Sequence, residues 1–297
     1  MATTAPARSN LITRFPLAAF FALAIALGGG VVWLVMQGLL PAGMTVGAAI
    51  SASLAGVLMT ALVDGRAGLK QLFRQLRIRQ VSAGYWVFAF LYLVPAVLLG
   101  ALANPLFNGD RLALGNFQPA FAIVPMYILF FFIAGLGQEL GWTGFLIPRL
   151  QSRYSALTAA VMRAVLVGIW HLPLLLYSRL DPQAFPSIPY GSWIAQIGFP
   201  AALAVMLVMF LLPWSIFFTW MYNNTGGNLL LVAILHGSEI WLPYWMLSTG
   251  VNPDNINNYW GYGTVLLLTA LLIVVITGRE NLSRRERRVG SQPQGTH

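Results

Sequence analysis

From Phe117 to Gly137 no residue carries a charge, and runs of this kind recur along the whole chain. About 20 predominantly apolar residues are needed for a helix to cross the hydrocarbon of a bilayer. These runs are continuously apolar, where the strands of a membrane barrel would alternate apolar and polar residues. Charged residues make up 8% of the 297 positions, against about 25% in a soluble domain. The composition therefore points to an all-α, polytopic membrane helix bundle of about eight transmembrane helices. The expected spans lie near 15–38, 42–63, 82–104, 118–143, 157–177, 192–220, 227–248 and 262–278. The first carries no small-residue cleavage site and is followed at once by another span, so it is expected to be an anchor.

The net charge of +9 raises the possibility of a nucleic-acid partner, but its placement argues against one. Arg8 and Arg14 precede the first span, and Arg66, Lys70, Arg74, Arg77 and Arg79 follow the second. Arg149 and Arg153 follow the fourth, and Arg279, Arg284, Arg285, Arg287 and Arg288 follow the last. The alternate loops hold only Arg111 and Arg179, each near an aspartate. This pattern places both termini of a multi-pass cell-membrane protein in the cytoplasm. Residues 66–80 read as an amphipathic segment on that face. Residues 1–278 are expected to form a single membrane domain, and 279–297 a basic cytoplasmic tail of disordered composition.

No cysteine is present, which leaves histidine and carboxylate as the strong metal ligands. At membrane depth stand Glu139 on the fourth span, Arg163 and His171 on the fifth, and His236 with Glu239 on the seventh. Such residues are costly in hydrocarbon and usually mark function. A rise of 1.5 Å per residue puts Glu139 and His236 each about 13 Å from their inner helix ends, and His171 about 20 Å in. His236 and Glu239, three apart, share a helix face. Gln138 and Glu139 point about 100° apart, so only one aims squarely at a common centre. Arg163 either snorkels to the headgroups or pairs with Glu139 or Glu239. Trp142 and Trp170 are expected to serve as interfacial anchors or packing residues.

Gln138-Glu139-Leu140-Gly141-Trp142-Thr143-Gly144-Phe145-Leu146-Ile147-Pro148 resembles the first motif of the CAAX-processing and bacteriocin-processing intramembrane endopeptidases. That motif is a Glu-Glu pair followed by three residues and an arginine. Trp170-His171-Leu172-Pro173 is similar to the second motif, and Leu235-His236-Gly237-Ser238 to the third. The likeness concentrates in residues 130–245, within a core at about 118–248. It implies a cavity facing the cytoplasm in which a glutamate and a histidine activate water, Glu139, His171 and His236 being the matching residues. It also implies a second histidine and, four residues beyond the third-motif histidine, an asparagine at the oxyanion, and a divalent metal such as zinc, for which Glu139, His171 and His236 are the matching ligands. The implied partner is a peptide or protein substrate at the bilayer, in lipidated form for prenylated substrates.

The sequence departs from that pattern. Gln138 stands at the first glutamate, Thr143 at the arginine, Ile240 at the asparagine and Val167 at an aromatic position. One outcome is a shifted site, with Glu139 or Glu239 as base and Arg163 supplying the missing cation. Another is a catalytically silent homologue acting as a membrane binding or immunity-type protein. A small-solute transporter is a lesser alternative; it should show repeated halves, and none is visible.

Overall fold

In a bilayer the backbone must satisfy its own hydrogen bonds, so apolar segments fold as helices before anything else is decided. The computed structural model describes residues 11–78, 80–113, 120–181, 190–239 and 250–284, and among these the regular structure is entirely helical. We number the helices α1 (Pro16–Met36), α2 (Ala42–Arg74), α3 (Ala83–Leu91), α4 (Leu93–Phe107), α5 (Tyr127–Gln151), α6 (Ala156–Leu180), α7 (Tyr190–Ile197), α8 (Phe199–Asn224), α9 (Leu229–Glu239) and α10 (Asn257–Thr277). Six of these are long and apolar enough to span a membrane, or seven if the bent pair α3–α4 counts as one span. The seventh expected span appears only as α9, because 240–248 lie outside the described residues. So do Ile240, residues 182–189 between the expected fifth and sixth spans, and the tail beyond residue 284. The chain is a multi-pass membrane protein.

Two interruptions follow from single residues. Pro95 has no N–H to give, and α3 and α4 meet at a 48° bend just before it. Gly65 adopts φ 64° and ψ −157°, open to glycine alone, and breaks α2. Beyond that break helix continues to Arg74 with Arg66 and Lys70 in it and Leu72 buried, so the expected amphipathic segment is a helical extension turned off the span. Arg149 pairs with Asp64 beside the break. Several basic segments share one end of the bundle. Leu229 N–H donates to Gln75 O at 2.9 Å, and Ala156 and Leu157 N–H donate to Glu280 O and Arg279 O at 2.9 and 3.0 Å. At the other end Asn258, buried at the start of α10, donates to Asp110 Oδ2 and Asn252 O, each at 2.8 Å, and so ties two loops together.

Helices in lipid gain little from apolar contact alone and associate through small residues that let backbones close up. A Cβ at Gly56 of α2 would lie 2.5 Å from the Cα of Gly141 on α5. A Cβ at Gly237 of α9 would lie 2.9 Å from the Cα of Phe131 on α5, and one at Gly100 of α4 2.7 Å from the Cα of Tyr262 on α10. The obstacles are backbone, so no rotamer change relieves them. Gly141→Ala is expected to destabilise the bundle by about 1–3 kcal/mol, the range for overpacking, read as a lowered unfolding midpoint in detergent. An unchanged midpoint would mean that α2 and α5 slide freely.

The centre of α5 is not a regular helix. Phe131–Leu136 and Leu140–Leu146 are π-helical, and a three-residue α-helical stretch, Gly137–Glu139, lies between them. Such wide turns are frequent at functional sites because they free carbonyls and shift side chains around the axis. Ser53 of α2 donates to one such carbonyl, Leu136 O, at 2.6 Å.

Candidate functional site

The narrow segment between the two wide turns carries Glu139 into the middle of the bundle, where its side chain is fully buried (0% exposed). An isolated carboxylate there would be prohibitive, and three donors from three helices compensate it. Arg163 of α6 donates from Nη2 to Glu139 Oε1 at 2.7 Å. His236 of α9 places Nδ1 2.6 Å from the same oxygen. Thr143, one turn on along α5, donates to Oε2.

Arg163 is itself 3% exposed. Its Nη1 donates to Ser215 Oγ of α8 at 2.9 Å. Its guanidinium lies 4.7 Å from the centre of the Phe218 ring, and His236 stacks on Phe218 at 5.0 Å. Phe218 thus presents its π-face to both the guanidinium and the imidazole that meet Glu139. The pairing of Arg163 with Glu139, rather than its escape to the headgroups, is the arrangement the structure adopts. The cation beside Glu139 thus comes from another helix, and position 143, where the resemblance has an arginine, is a threonine. Thr143 contributes a hydroxyl to the same carboxylate.

The tautomer of His236 follows from its partner. A carboxylate accepts, so Nδ1 carries the hydrogen and neutral His236 presents a lone pair at Nε2. Glu239, one turn further along α9 and 23% exposed at its side chain, has Oε2 4.0 Å from that Nε2. The result is a line Glu139–His236–Glu239 running from the sealed interior toward a more accessible carboxylate.

His171 is not part of that contact set. It sits at the irregular turn of α6, with Nδ1 2.8 Å from Val167 O. Its ring lies 4.9 Å from Trp170 and 6.3 Å from Tyr190, edge-on to both. Since a carbonyl only accepts, neutral His171 also has its lone pair at Nε2 and offers no N–H to an oxyanion from that atom. Gln138 is buried beside Glu139, and among the described residues its amide makes no hydrogen bond. Trp142 and Trp170 are buried and pack edge-on at 5.9 Å, with Trp170 Nε1–H donating to Ser51 Oγ at 3.1 Å; they are core residues and not interfacial anchors.

The set expected to hold a metal does not fit one as arranged. Both oxygens of Glu139 are engaged, and a guanidinium stands 2.7 Å from Oε1, where a cation would compete with it. His171 is held elsewhere, and among the described residues no three histidine, aspartate or glutamate side chains converge as ligands. Ser215 and Phe218 carry no distinct signal in the sequence, Ser215 being one of three hydroxyls, with Ser192 and Thr219, inside the apolar sixth span.

Residues 120–239 match the family described as type II CAAX prenyl endopeptidase, Rce1-like. The chain is 27% identical over 148 residues to a CAAX prenyl protease 2 of Methanococcus maripaludis. The aligned part is 48% of this chain and 50% of that protein, so the match spans about half the length of the relative. The matched region runs from α5 to α9 and contains each of the site residues named above.

Proposed function

We propose that this chain, whose residues 120–239 match the type II CAAX prenyl endopeptidase, Rce1-like, family, is an intramembrane endopeptidase whose attacking water sits between His236 Nε2 and Glu239. The observation that carries this is the 4.0 Å gap between those two atoms. It is too long for a direct hydrogen bond and suits one bridging water, since two bonds of about 2.8 Å meeting near a right angle span it. Glu139 orients His236 through Nδ1–H and stabilises the imidazolium that forms when Nε2 takes a proton, as a buried carboxylate does in a hydrolase triad. Arg163 and Thr143 keep Glu139 ionised and aimed. Glu139 is then a positioning residue, and His236 and Glu239 are the groups that touch the water.

In this reading the proton leaves water for His236 Nε2 as its oxygen adds to the scissile carbonyl. It then passes to the departing amine, with Glu239 holding the second hydrogen of the water. The substrate is a peptide segment reaching the site from the basic end of the bundle, which lies in the cytoplasm together with both termini. A lipidated peptide is the substrate class the family name suggests.

The complete burial of Glu139, with every oxygen occupied, favours one second reading: a silent homologue in which the network only holds helices together. Purified protein in liposomes, offered prenylated and unprenylated peptides, separates the two. Cleavage by the native chain that Glu239→Gln removes, and that a chelator leaves unchanged, supports the proposed water site. Cleavage lost to chelation and restored by zinc would place the water on an ion instead. No cleavage of any peptide supports the silent reading.

A further inference from the structure

The basic end of the bundle contains a cavity of about 760 Å³ that none of Glu139, Arg163, His236 or Glu239 lines. It opens between the start of α3 at Ser82 and Tyr85, the end of α8 at Trp220 and Asn224, and the end of α10 at Ile273, with Arg284 also in its wall. Asn224 is nine residues beyond Ser215, so the cavity lies about 13 Å along α8 from the buried network. We propose that this cavity is a binding site for an anionic phospholipid of the leaflet at the basic end.

The walls are divided as an amphiphile requires. Tyr85, Trp220 and Ile273 give an apolar surface on the bundle side, and Trp220 is held there by edge-on contact with Phe88 at 5.1 Å. Ile276 is 46% exposed, so on the α10 side the wall faces the space where acyl chains lie. The polar groups, from Gln80, Ser82 and Thr277, stand at the helix ends. Among the described residues Arg284 is the sole charged one in the lining, and no carboxylate is among them. Arg284 Nε–H donates to Ile276 O at 3.4 Å, which fixes the guanidinium at the end of α10. The sequence continues with Arg285, Arg287 and Arg288. Basic pockets between spanning helices are recognised by phosphate headgroups. The volume falls within the usual range of ligand sites, about 300–1,000 Å³. A headgroup phosphate at Arg284 with an acyl chain laid against Trp220 and Ile273 uses both halves of the wall.

The site does not depend on the endopeptidase reading, because no residue is shared between them. The test uses the full-length protein, purified in detergent and offered phosphatidylglycerol, phosphatidylcholine or inorganic phosphate, with bound lipid counted by native mass spectrometry. Phosphatidylglycerol is expected to bind about fivefold more tightly than phosphatidylcholine, the effect of one arginine near an anionic headgroup. Arg284→Glu should remove that preference, and Thr277→Trp, which fills the cavity, should lower retention of both lipids. Arg284 is exposed, so its replacement does not threaten the fold and carries the test if Thr277→Trp unfolds. Equal binding of the two lipids, a preference that survives Arg284→Glu, or displacement of phosphatidylglycerol by an equal concentration of inorganic phosphate would each overturn the proposal.

Discussion

Replacing Arg163 by methionine is expected to lower stability by about 3–5 kcal/mol, because it leaves the Glu139 carboxylate buried without its cation. Glu139 is wholly inaccessible and Arg163 nearly so, and the pair at 2.7 Å is supported by Ser215 on one side and His236 on the other. Breaking a buried pair is costly, whereas removing both charges often is not. The double variant Arg163→Met with Glu139→Gln should therefore recover most of the lost stability. Equilibrium unfolding in mixed micelles provides the measurement, and the two single variants with the double one form a thermodynamic cycle. A loss below about 1 kcal/mol for Arg163→Met alone would show that Glu139 is held as a neutral acid. The ion pair would then be no part of the fold.

Activity should respond to a different set of residues. His236→Ala and Glu239→Gln are each expected to reduce kcat by about 10²–10⁴-fold, the contribution of a positioned general acid or base. Glu239 is partly exposed and among the described residues is bonded to no buried group at hydrogen-bond distance, so its replacement should leave the unfolding midpoint unchanged. Glu139→Gln should lower kcat and also the midpoint, since an amide presents a donor where Arg163 and Thr143 already donate. A merely structural Glu139 would change the midpoint and leave the turnover of the folded fraction untouched. Kinetics normalised to folded protein therefore tell positioning apart from scaffolding.

Much of the bundle is legible because the bilayer imposes one length and one polarity on each crossing. The bounds expected for the first, fifth and last spans fall close to α1, α6 and α10. The 118–143 and 42–63 segments end later in the structure, since helix does not stop where hydropathy does: α5 continues to Gln151 and α2 to Arg74. Depth counting puts Glu139 and His236 at one level, and they are in contact; it puts His171 deeper, and His171 bonds Val167 instead. What spacing alone does not give is which cation meets Glu139. Arg163 is 24 positions away on a separate helix, and only the helix approach decides the pairing. The wide turns of α5 are equally silent, because a π turn has no composition of its own in a run such as Phe131-Phe132-Ile133-Ala134.

Those two wide turns make register a determinant of this site. Upstream, α5 is fixed where Phe131 meets Gly237, and downstream where Gly141 meets Gly56. The wide turn holds one residue more than ordinary helix does over the same rotation, so tightening Phe131–Leu136 to ordinary helix with no residue removed would swing Glu139 about 100° around the axis. The carboxylate would then point away from both Arg163 and His236, although every side chain of the network was still present. Scans that exchange one residue for another cannot detect this dependence. Here the count of residues along α5 is as much a part of the site as the identity of any of them.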